Sequence, residues 1–362
     1  MNIQINYQIF FQQKKGGISS YYSNLLNEFK NLKVNATLNA PLNIFQNFNE
    51  IQKKFGLYIP KYPAYFKNSM EYLNYNLSEI YMKSKKPDII HNSYYSKNIL
   101  KKKNIKSIIT VYDMITEVYA NENLYDKNLS IIKKNSIDNS DHVICISQKT
   151  KEDLINYFKI DEKKITVVYL GTNLIEKNSN KFFPKKNFIL YVGGRREYKN
   201  FDNFIKAYSI SKKINKEFTI VAFGGEKFSK KDSDLIKKYN LDKNQFSFIS
   251  GDAKLLQSLY LTAKLFVYPS LYEGFGLPIL EAMANNCPTI CSNTSSIPEV
   301  AGSAVKYFDP SDPENISDCM EKVIFNSSIS SELIIAGLNQ TKLFTWKKCA
   351  EQTIDVYKKV LI

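Results

Sequence analysis

Short apolar runs alternate with amphipathic stretches along the whole chain. Runs of β-branched and aromatic residues that end at glycine, proline or polar residues are typical of buried strands. The stretches between them carry apolar residues three and four positions apart, which is typical of helices with one buried face. The alternation predicts an α/β protein with doubly wound parallel sheets. We expect strands within residues 1–11, 87–91, 107–111, 142–147, 165–168, 189–192, 218–223, 246–249, 265–268 and 289–291.

A polar and charged stretch at residues 173–187 interrupts this alternation, and we predict that it links two domains. The first domain would comprise residues 1–172 and the second residues 188–344. Both have an ordinary domain size. A last amphipathic helix is predicted within residues 345–362, where apolar residues recur at three- and four-residue spacing.

The composition is that of a globular protein, with 44% hydrophobic and 23% charged residues among 362. The net charge of +15 favours anionic partners, such as a polyanion or an anionic membrane face. A charge of this size also keeps a protein in solution without any partner. The lysine clusters come with no recognition-helix, zinc-finger or RNA-binding motif, so we expect no nucleic-acid partner.

Five cysteines are spaced singly, and their odd number argues against a complete disulfide set. With only two histidines in the chain, a metal cage has too few nitrogen ligands. The sequence shows no leader pattern and no window of eighteen apolar residues. We therefore expect a cytoplasmic protein, either soluble or peripheral at the inner face of the cell membrane.

The most informative stretch is residues 266–302, where a strand, a glycine-containing loop, a helix and a second strand follow one another. Gly274 and Gly276 allow a ligand to approach the backbone, and the helix after them would present its first amides to an anion. Glu273 and Glu281 are eight residues apart and can border one pocket, where carboxylates would accept hydroxyl hydrogens. The alternative is a plain structural unit with two solvated glutamates.

Two more glycine loops precede predicted helices. Residues 193–200 read GGRREYKN, and two arginines and a lysine beside a helix start suit a diphosphate. The alternative is an exposed basic loop. Gly16 and Gly17 precede the helix predicted at 18–29 and form another corner that favours phosphate, or only a glycine turn.

These segments resemble family 4 of the retaining glycosyltransferases. The resemblance rests on EGFGLPILE at 273–281, PEVAG at 298–302, YVGGRREYKNF at 191–201 and GGI at 16–18. It covers nearly the whole chain and is strongest from 188 to 310. It implies the GT-B fold, in which two Rossmann-like domains face each other across a cleft and the last helix crosses back to the first domain.

The resemblance also implies roles for the residues of the motif at 273–281. Glu273 would hold hydroxyls of the transferred sugar and Glu281 the ribose of the nucleotide. Backbone amides of Phe275, Gly276 and Leu277 would approach the sugar and the phosphates.

The other glycine loops would contact the nucleotide in the same scheme. Arg195 and Lys199 would bind its diphosphate beside Gly194, with Arg196 as a close competitor for the role of Arg195. Gly251 lies where family members hold the nucleobase by backbone. Gly16 and Gly17 would approach the diphosphate from the first domain.

One position departs from the family pattern. The family usually has a histidine before Asp113, and this chain has Tyr112. Tyrosine can still donate a hydrogen bond, so donor positioning could survive with a changed geometry. The departure also motivates an alternative, a catalytically impaired GT-B module that binds a sugar nucleotide or glycan. His91 and His142 do not match the position of that histidine and are expected to be structural.

The resemblance implies a retaining, metal-independent transferase that needs no cofactor beyond its nucleotide-sugar donor. Similarity to O-antigen and other surface-polysaccharide mannosyltransferases makes GDP-mannose the first choice of donor and a UDP-hexose the alternative. The acceptor would be a glycan or an oligosaccharide on a polyprenyl diphosphate. Residues 38–86, which are rich in tyrosine, phenylalanine and asparagine, would form an acceptor wall or serve only packing.

Overall fold

A computed structural model describes residues 1–61, 64–120, 126–173 and 187–362. The chain forms two compact units. The first consists of Met1–Gly171 with Trp346–Ile362, and the second is Thr172–Thr345. The linker predicted at 173–187 lies outside the described residues except at its two ends.

The first unit is built on a seven-stranded parallel sheet in the order β3-β2-β1-β4-β5-β6-β7. Its strands are β1 Asn2–Asn6, β2 Asn35–Asn43, β3 Lys54–Tyr58, β4 Ile89–Asn92, β5 Lys106–Val111, β6 His142–Cys145 and β7 Ile165–Val167. Its helices are α1 Gln8–Gln12, α2 Gly17–Asn31, α3 Lys67–Lys85, α4 Ile115–Val118, α5 Lys127–Asp138 and α6 Gln148–Phe158, joined by the last helix of the chain.

Two parts of this unit differ from the sequence expectation. Residues 8–12 continue the apolar run that predicts the first strand, but the strand ends at Asn6 and residues Gln8–Gln12 form α1. The stretch 38–86, which shows no clear pattern, contains most of β2 and all of β3 and α3.

The second unit is a six-stranded parallel sheet in the order β10-β9-β8-β11-β12-β13. Its strands are β8 Phe188–Val192, β9 Thr219–Phe223, β10 Phe246–Ile249, β11 Leu265–Tyr268, β12 Thr289–Ser292 and β13 Lys306–Phe308. Its helices are α7 Phe201–Ile210, α8 Lys212–Glu217, α9 Lys230–Lys238, α10 Ala253–Thr262, α11 Leu277–Ala284, α12 Ile297–Ala301, α13 Pro313–Ile324 and α14 Ser327–Thr341.

The strand order of the second sheet reverses between β8 and β11. In an open parallel sheet, ligands bind outside the carboxyl ends of the strands at such a reversal. The predicted fold class, with two doubly wound parallel sheets, is confirmed. The strand reversal places the expected ligand site at the loops that follow β8 and β11.

The last helix, α15 Trp346–Leu361, packs in the first unit through Tyr357. The Tyr357 hydroxyl lies 2.6 Å from Nδ1 of His91, and its ring contacts Phe29 at a centroid distance of 5.9 Å. The five cysteines are all buried and free. None of the helices in the described ranges combines the length and the apolar character that crossing a bilayer requires.

Candidate nucleotide-sugar site

The loops after β8 and β11 are joined at the strand reversal. The Leu271 amide donates to the Tyr198 carbonyl at 2.7 Å, which ties one loop to the other. The Asn200 side chain donates to the carbonyls of Pro269 and Pro310 at 3.0 and 2.8 Å. The backbone of both loops is thus fixed before any ligand arrives, which lowers the entropic cost of binding.

Lys199 and Glu273 meet between these loops. The Lys199 ammonium lies 2.6 Å from Oε1 of Glu273, and the two side chains are only 16% and 11% exposed. The ammonium also lies 5.5 Å from the centroid of the Tyr268 ring. Burial and the Glu273 carboxylate raise the pKa of Tyr268 well above its ordinary value, so its hydroxyl stays protonated. Two predicted site residues therefore form one ion pair at the strand reversal.

The loop that follows β12 holds the backbone of Glu273. The hydroxyls of Ser295 and Ser296 donate to the Glu273 carbonyl at 2.7 and 2.8 Å, and Ser296 also reaches the Phe275 carbonyl at 3.1 Å. The Glu273 amide donates back to the Ser295 hydroxyl at 3.3 Å. Sequence reasoning missed this role, because a serine-rich loop at a strand end signals polarity but not a specific partner.

Helix α11, which follows the loop after β11, is preceded by a residue whose backbone conformation favours glycine. Gly276 has φ +110° and precedes α11, and a Cβ there would lie 3.3 Å from Cδ1 of Ile279. Pro278 occupies the first turn. Within the described part of the chain no side chain caps the first amides of α11, so the helix start can receive an anion. Gly276 and Leu277, whose amides are predicted to approach the sugar and the phosphates, thus lie at a helix start. The ring of Phe275 packs on Phe344.

Glu281 lies on α11 in a protected position. The Tyr260 hydroxyl lies 3.2 Å from its Oε2 and donates to it. Burial raises the pKa of Glu281, because desolvation disfavours the charged form. A ribose that replaced solvent here would find an acceptor already oriented by Tyr260.

The glycines after β8 and β9 pack backbone to backbone. Gly193 has φ +128° and Gly225 φ +71°, and a Cβ on Gly225 would lie 2.8 Å from the Gly194 Cα. A Cβ on Gly194 would meet open space, so a ligand can approach that face of the loop. A Cβ on Gly251, in contrast, would meet the Leu255 side chain at 2.5 Å.

Arg195 is engaged by protein groups. Its Nε lies 3.2 Å from Asp232 Oδ2, and its Nη2 donates to the carbonyls of Glu226 and Lys227. The guanidinium carbon lies 4.9 Å from the Phe228 ring centroid, and only 6% of the side chain is exposed. Arg195 therefore holds the loop before α9. Sequence reasoning missed Asp232, whose spacing from Arg195 along the chain gives no signal.

Arg196 is placed differently from its neighbour. Its side chain is exposed, and its backbone caps the single helical turn Glu197–Lys199. Of the two adjacent arginines, Arg196 is thus the one whose guanidinium faces solvent. Nη1 of Arg195 is buried and makes no hydrogen bond to any described residue, so both arginines stay candidates for the diphosphate, and Arg196 is the accessible one.

Gly16 and Gly17 begin α2 in the first unit. Gly16 precedes the helix with an extended backbone, and the Gln13 side chain accepts from the Ser19 amide of the first turn at 3.3 Å. A Cβ on Gly17 would meet open space, whereas one on Gly16 would meet the Gln13 side chain at 2.5 Å. The predicted phosphate-favouring corner is therefore present as a helix start, and its ligand stays a prediction.

Tyr112 points into the core of the first unit. Its hydroxyl lies 2.9 Å from both the Ser93 carbonyl and the Tyr22 hydroxyl. Since a carbonyl can only accept, the single Tyr112 proton goes to Ser93. Tyr22 in turn lies 3.3 Å from Nε2 of His91, whose pKa burial lowers to about 3. Neutral His91 and Tyr112 thus belong to one buried polar network.

Asp113 holds the short helix that follows it. Its Oδ1 accepts from the Ile115 amide at 3.1 Å, and its carbonyl accepts from the Lys133 ammonium at 3.1 Å. Lys133 also pairs with Glu117 at 2.6 Å, and these two side chains are only 1% and 3% exposed. A buried cation beneath the Tyr112–Asp113 loop was not predicted from the sequence.

Comparison with known proteins gives the same two halves as the structure. A model of glycosyl transferases group 1 matches residues 172–340, and a model of glycosyltransferase family 4 matches residues 15–176. O-antigen chain mannosyltransferase B of Escherichia coli is 29% identical over 237 residues, which are 62% of each chain. The serotype-specific mannosyltransferase WbdA of Escherichia coli is 29% identical over 280 residues, 71% of this chain and 34% of that protein. The chain thus aligns with less than two thirds of the length of each.

A solved structure supports the fold. Sucrose-phosphate synthase from Thermosynechococcus elongatus superimposes with a TM-score of 0.80 over 99% of this chain and 98% of that one, at 18% identity. This likeness confirms the expected GT-B fold.

Proposed function

Because this chain belongs to the glycosyltransferases, with a family 4 half and a group 1 half, we propose that it transfers a hexose from a nucleotide diphosphate sugar. The first choice of donor is GDP-mannose. The observation that carries the proposal is the Lys199–Glu273 ion pair at the strand reversal. The mannosyltransferase relatives support the choice of sugar.

The residues around this pair bind different parts of the donor. Lys199, Arg196 and the start of α11 bind the diphosphate, and each charge-assisted hydrogen bond contributes about 1.5–3 kcal/mol. Glu281 accepts hydrogen bonds from the ribose. When phosphate takes Lys199, the Glu273 carboxylate becomes available to the hydroxyls of the sugar.

The leaving diphosphate needs stabilisation as the glycosidic bond breaks. The proposed cations and helix amides are preorganised for that charge, so the reaction proceeds without a metal and without a cofactor. Retention follows if the leaving phosphate accepts the proton of the acceptor hydroxyl on the face it departs from.

The proposed acceptor is a glycan or an oligosaccharide on a polyprenyl diphosphate, in the synthesis of a bacterial surface polysaccharide such as O-antigen. The relatives that make O-antigen chains support this class. The net charge of +15 suits an acceptor anchored in an anionic membrane, with the protein peripheral at its inner face.

A second candidate function is a GT-B module that binds a sugar nucleotide or glycan without transfer. The placement of Tyr112 favours it, because the hydroxyl that stands in for the family histidine serves Ser93 and Tyr22. A UDP-hexose donor remains the alternative within the transferase proposal.

Thermal shift with GDP, UDP, ADP and dTDP tests the proposal. We expect a stabilisation with GDP that Glu281→Ala abolishes, and that Glu332→Ala, at an exposed position of α14, leaves unchanged. A stabilisation with UDP alone would move the donor to a UDP-hexose. Turnover of GDP-mannose then separates the transferase from the binding module, and the absence of any nucleotide effect would refute both donors.

A further inference from the structure

Helix α3 carries polar residues on the face that it packs against the sheet. The Asn74 side chain accepts from the Leu42 amide at 2.7 Å and donates to the Leu42 carbonyl at 2.8 Å. Asn39 donates to the Ser78 carbonyl at 3.2 Å. The buried residues of the helix are Asn74, Ser78 and Met82. A surface helix normally buries its apolar stripe, so this arrangement is inverted.

The outward face of α3 carries the apolar residues instead. Tyr72, Leu73 and Ile80 lie opposite the buried stripe by helical periodicity, and they are 63%, 45% and 63% exposed. Leu57 and Phe55 are registered beside Leu42 and Asn39, which contact α3. They therefore lie along the same helix. We call the α3 surface the exposed residues Phe55, Leu57, Tyr65, Phe66, Tyr72, Leu73 and Ile80.

Contiguous exposed apolar side chains mark an interaction surface. The segments that carry this surface also carry exposed lysines, which are Lys53, Lys61, Lys67, Lys83, Lys85 and Lys86. The acidic residues of α3 are Glu71 and Glu79, and Glu79 is paired with Lys83 at 2.7 Å. The excess of positive charge would repel a second copy of the same surface, and it attracts an anionic partner.

Tyrosine has an apolar ring and a polar end, which suits the boundary between headgroups and acyl chains. Lysines can reach phosphates from such a position while their stems cover apolar surface. A helix that presents apolar residues between lysines can lie in the plane of a bilayer surface.

We propose that the α3 surface docks on an anionic lipid bilayer and seats its tyrosine, leucine and isoleucine side chains at the headgroup boundary. The inference rests on the proposed function only for its purpose, which is to bring the enzyme to a lipid-carried acceptor. The membrane contact itself requires no catalysis.

Co-sedimentation of the full chain with vesicles tests the proposal. The vesicles contain phosphatidylcholine alone or with 30% phosphatidylglycerol. We expect binding to the anionic vesicles that weakens as salt is raised. Tyr72→Ser/Ile80→Ser should reduce the partition coefficient by about tenfold or more. Ile131→Ser, at a position that is 68% exposed on α5 of the same unit, should change it less than twofold.

The outcomes separate the alternatives. Equal vesicle binding by the wild type and Tyr72→Ser/Ile80→Ser, or no binding by the wild type, would overturn the proposal. A dimer in light scattering that this double variant abolishes, without vesicle binding, would assign the α3 surface to a second copy and also overturn it. Thermal shift with GDP, repeated on the same variant, should be unchanged. If vesicle binding holds while no nucleotide stabilises the wild type, the proposed function fails and this inference stands.

Discussion

Replacement of Lys199 by methionine removes one partner of the ion pair at the strand reversal. The Glu273 carboxylate would remain only 11% exposed, on a backbone that Ser295 and Ser296 hold in place. Removing one partner of a fully buried pair leaves the other charge unpaired and lowers the free energy of unfolding by about 3–5 kcal/mol. Both side chains keep some contact with solvent, so we expect the free energy of unfolding to fall by about 1–3 kcal/mol.

A double-mutant cycle measures this coupling. The free energy of unfolding is measured in urea for Lys199→Met, Glu273→Gln and the double variant. The double variant should lose less stability than the sum of the two single losses, because it contains no unpaired charge at this site. The Lys231–Glu197 pair, at 3.2 Å and with side chains 62% and 46% exposed, is the matched control. Its coupling should be below about 1 kcal/mol. Additive effects at Lys199 and Glu273 would refute the reasoning.

The same variants separate nucleotide binding from sugar binding. Lys199→Met should weaken GDP binding about 10- to 100-fold, because one charge-assisted bond to phosphate is lost. Glu273→Gln should preserve or strengthen GDP binding, since Glu273 no longer competes with phosphate for Lys199, and it should abolish hexose transfer. Calorimetric titration measures both affinities. A loss of GDP affinity in Glu273→Gln as large as that in Lys199→Met would contradict this division of roles.

The remaining predictions concern the residues around the pair and the core of the first unit. Because burial raises the folded pKa of Glu281, its carboxyl favours folding below the ordinary glutamate pKa, and that contribution is lost as pH rises through the raised value. Glu281→Gln should therefore raise the melting temperature relative to the wild type more at pH 8 than at pH 4, while GDP binds more weakly; equal effects at both pH values would contradict this. Arg195→Met should lower the free energy of unfolding in urea by about 2–4 kcal/mol, and Arg196→Met by less than about 0.5 kcal/mol while it weakens GDP binding. A loss of GDP affinity in Arg195→Met but not in Arg196→Met would return the ligand role to Arg195. Tyr112→Phe should lower stability by about 1–2 kcal/mol, because the Ser93 carbonyl loses its donor, and an unchanged unfolding midpoint would remove Tyr112 from the network.

Much of the fold can be predicted because most strands are short runs of buried apolar residues. Leu265–Tyr268, whose four residues are all buried, forms a strand where the pattern places it. The pattern fails where apolar residues do not face the core. In α3 the side chains of Asn74 and Ser78 are inside and those of Tyr72 and Ile80 outside, so hydrophobic periodicity gives no valid helix face.

The candidate site shows a similar division. Glycines and charged residues at strand ends identify Glu273 and Lys199, because parallel strands bring their carboxyl ends to one edge. Their pairing requires the positions of two loops that are 74 residues apart in sequence. The contrast between Arg195 and Arg196 depends on Asp232, 37 residues beyond Arg195, which captures one of two adjacent guanidiniums. No local pattern carries that information.

The most direct test of the proposed reaction is the hydrolysis of GDP-mannose by the wild-type protein in EDTA, followed by proton NMR at early times. Water replaces the acceptor in this assay, so the first anomer released reports the stereochemistry. We predict GDP and α-mannose as the first products, and loss of both in Glu273→Gln. Release of β-mannose first, or no turnover without added metal, would contradict it.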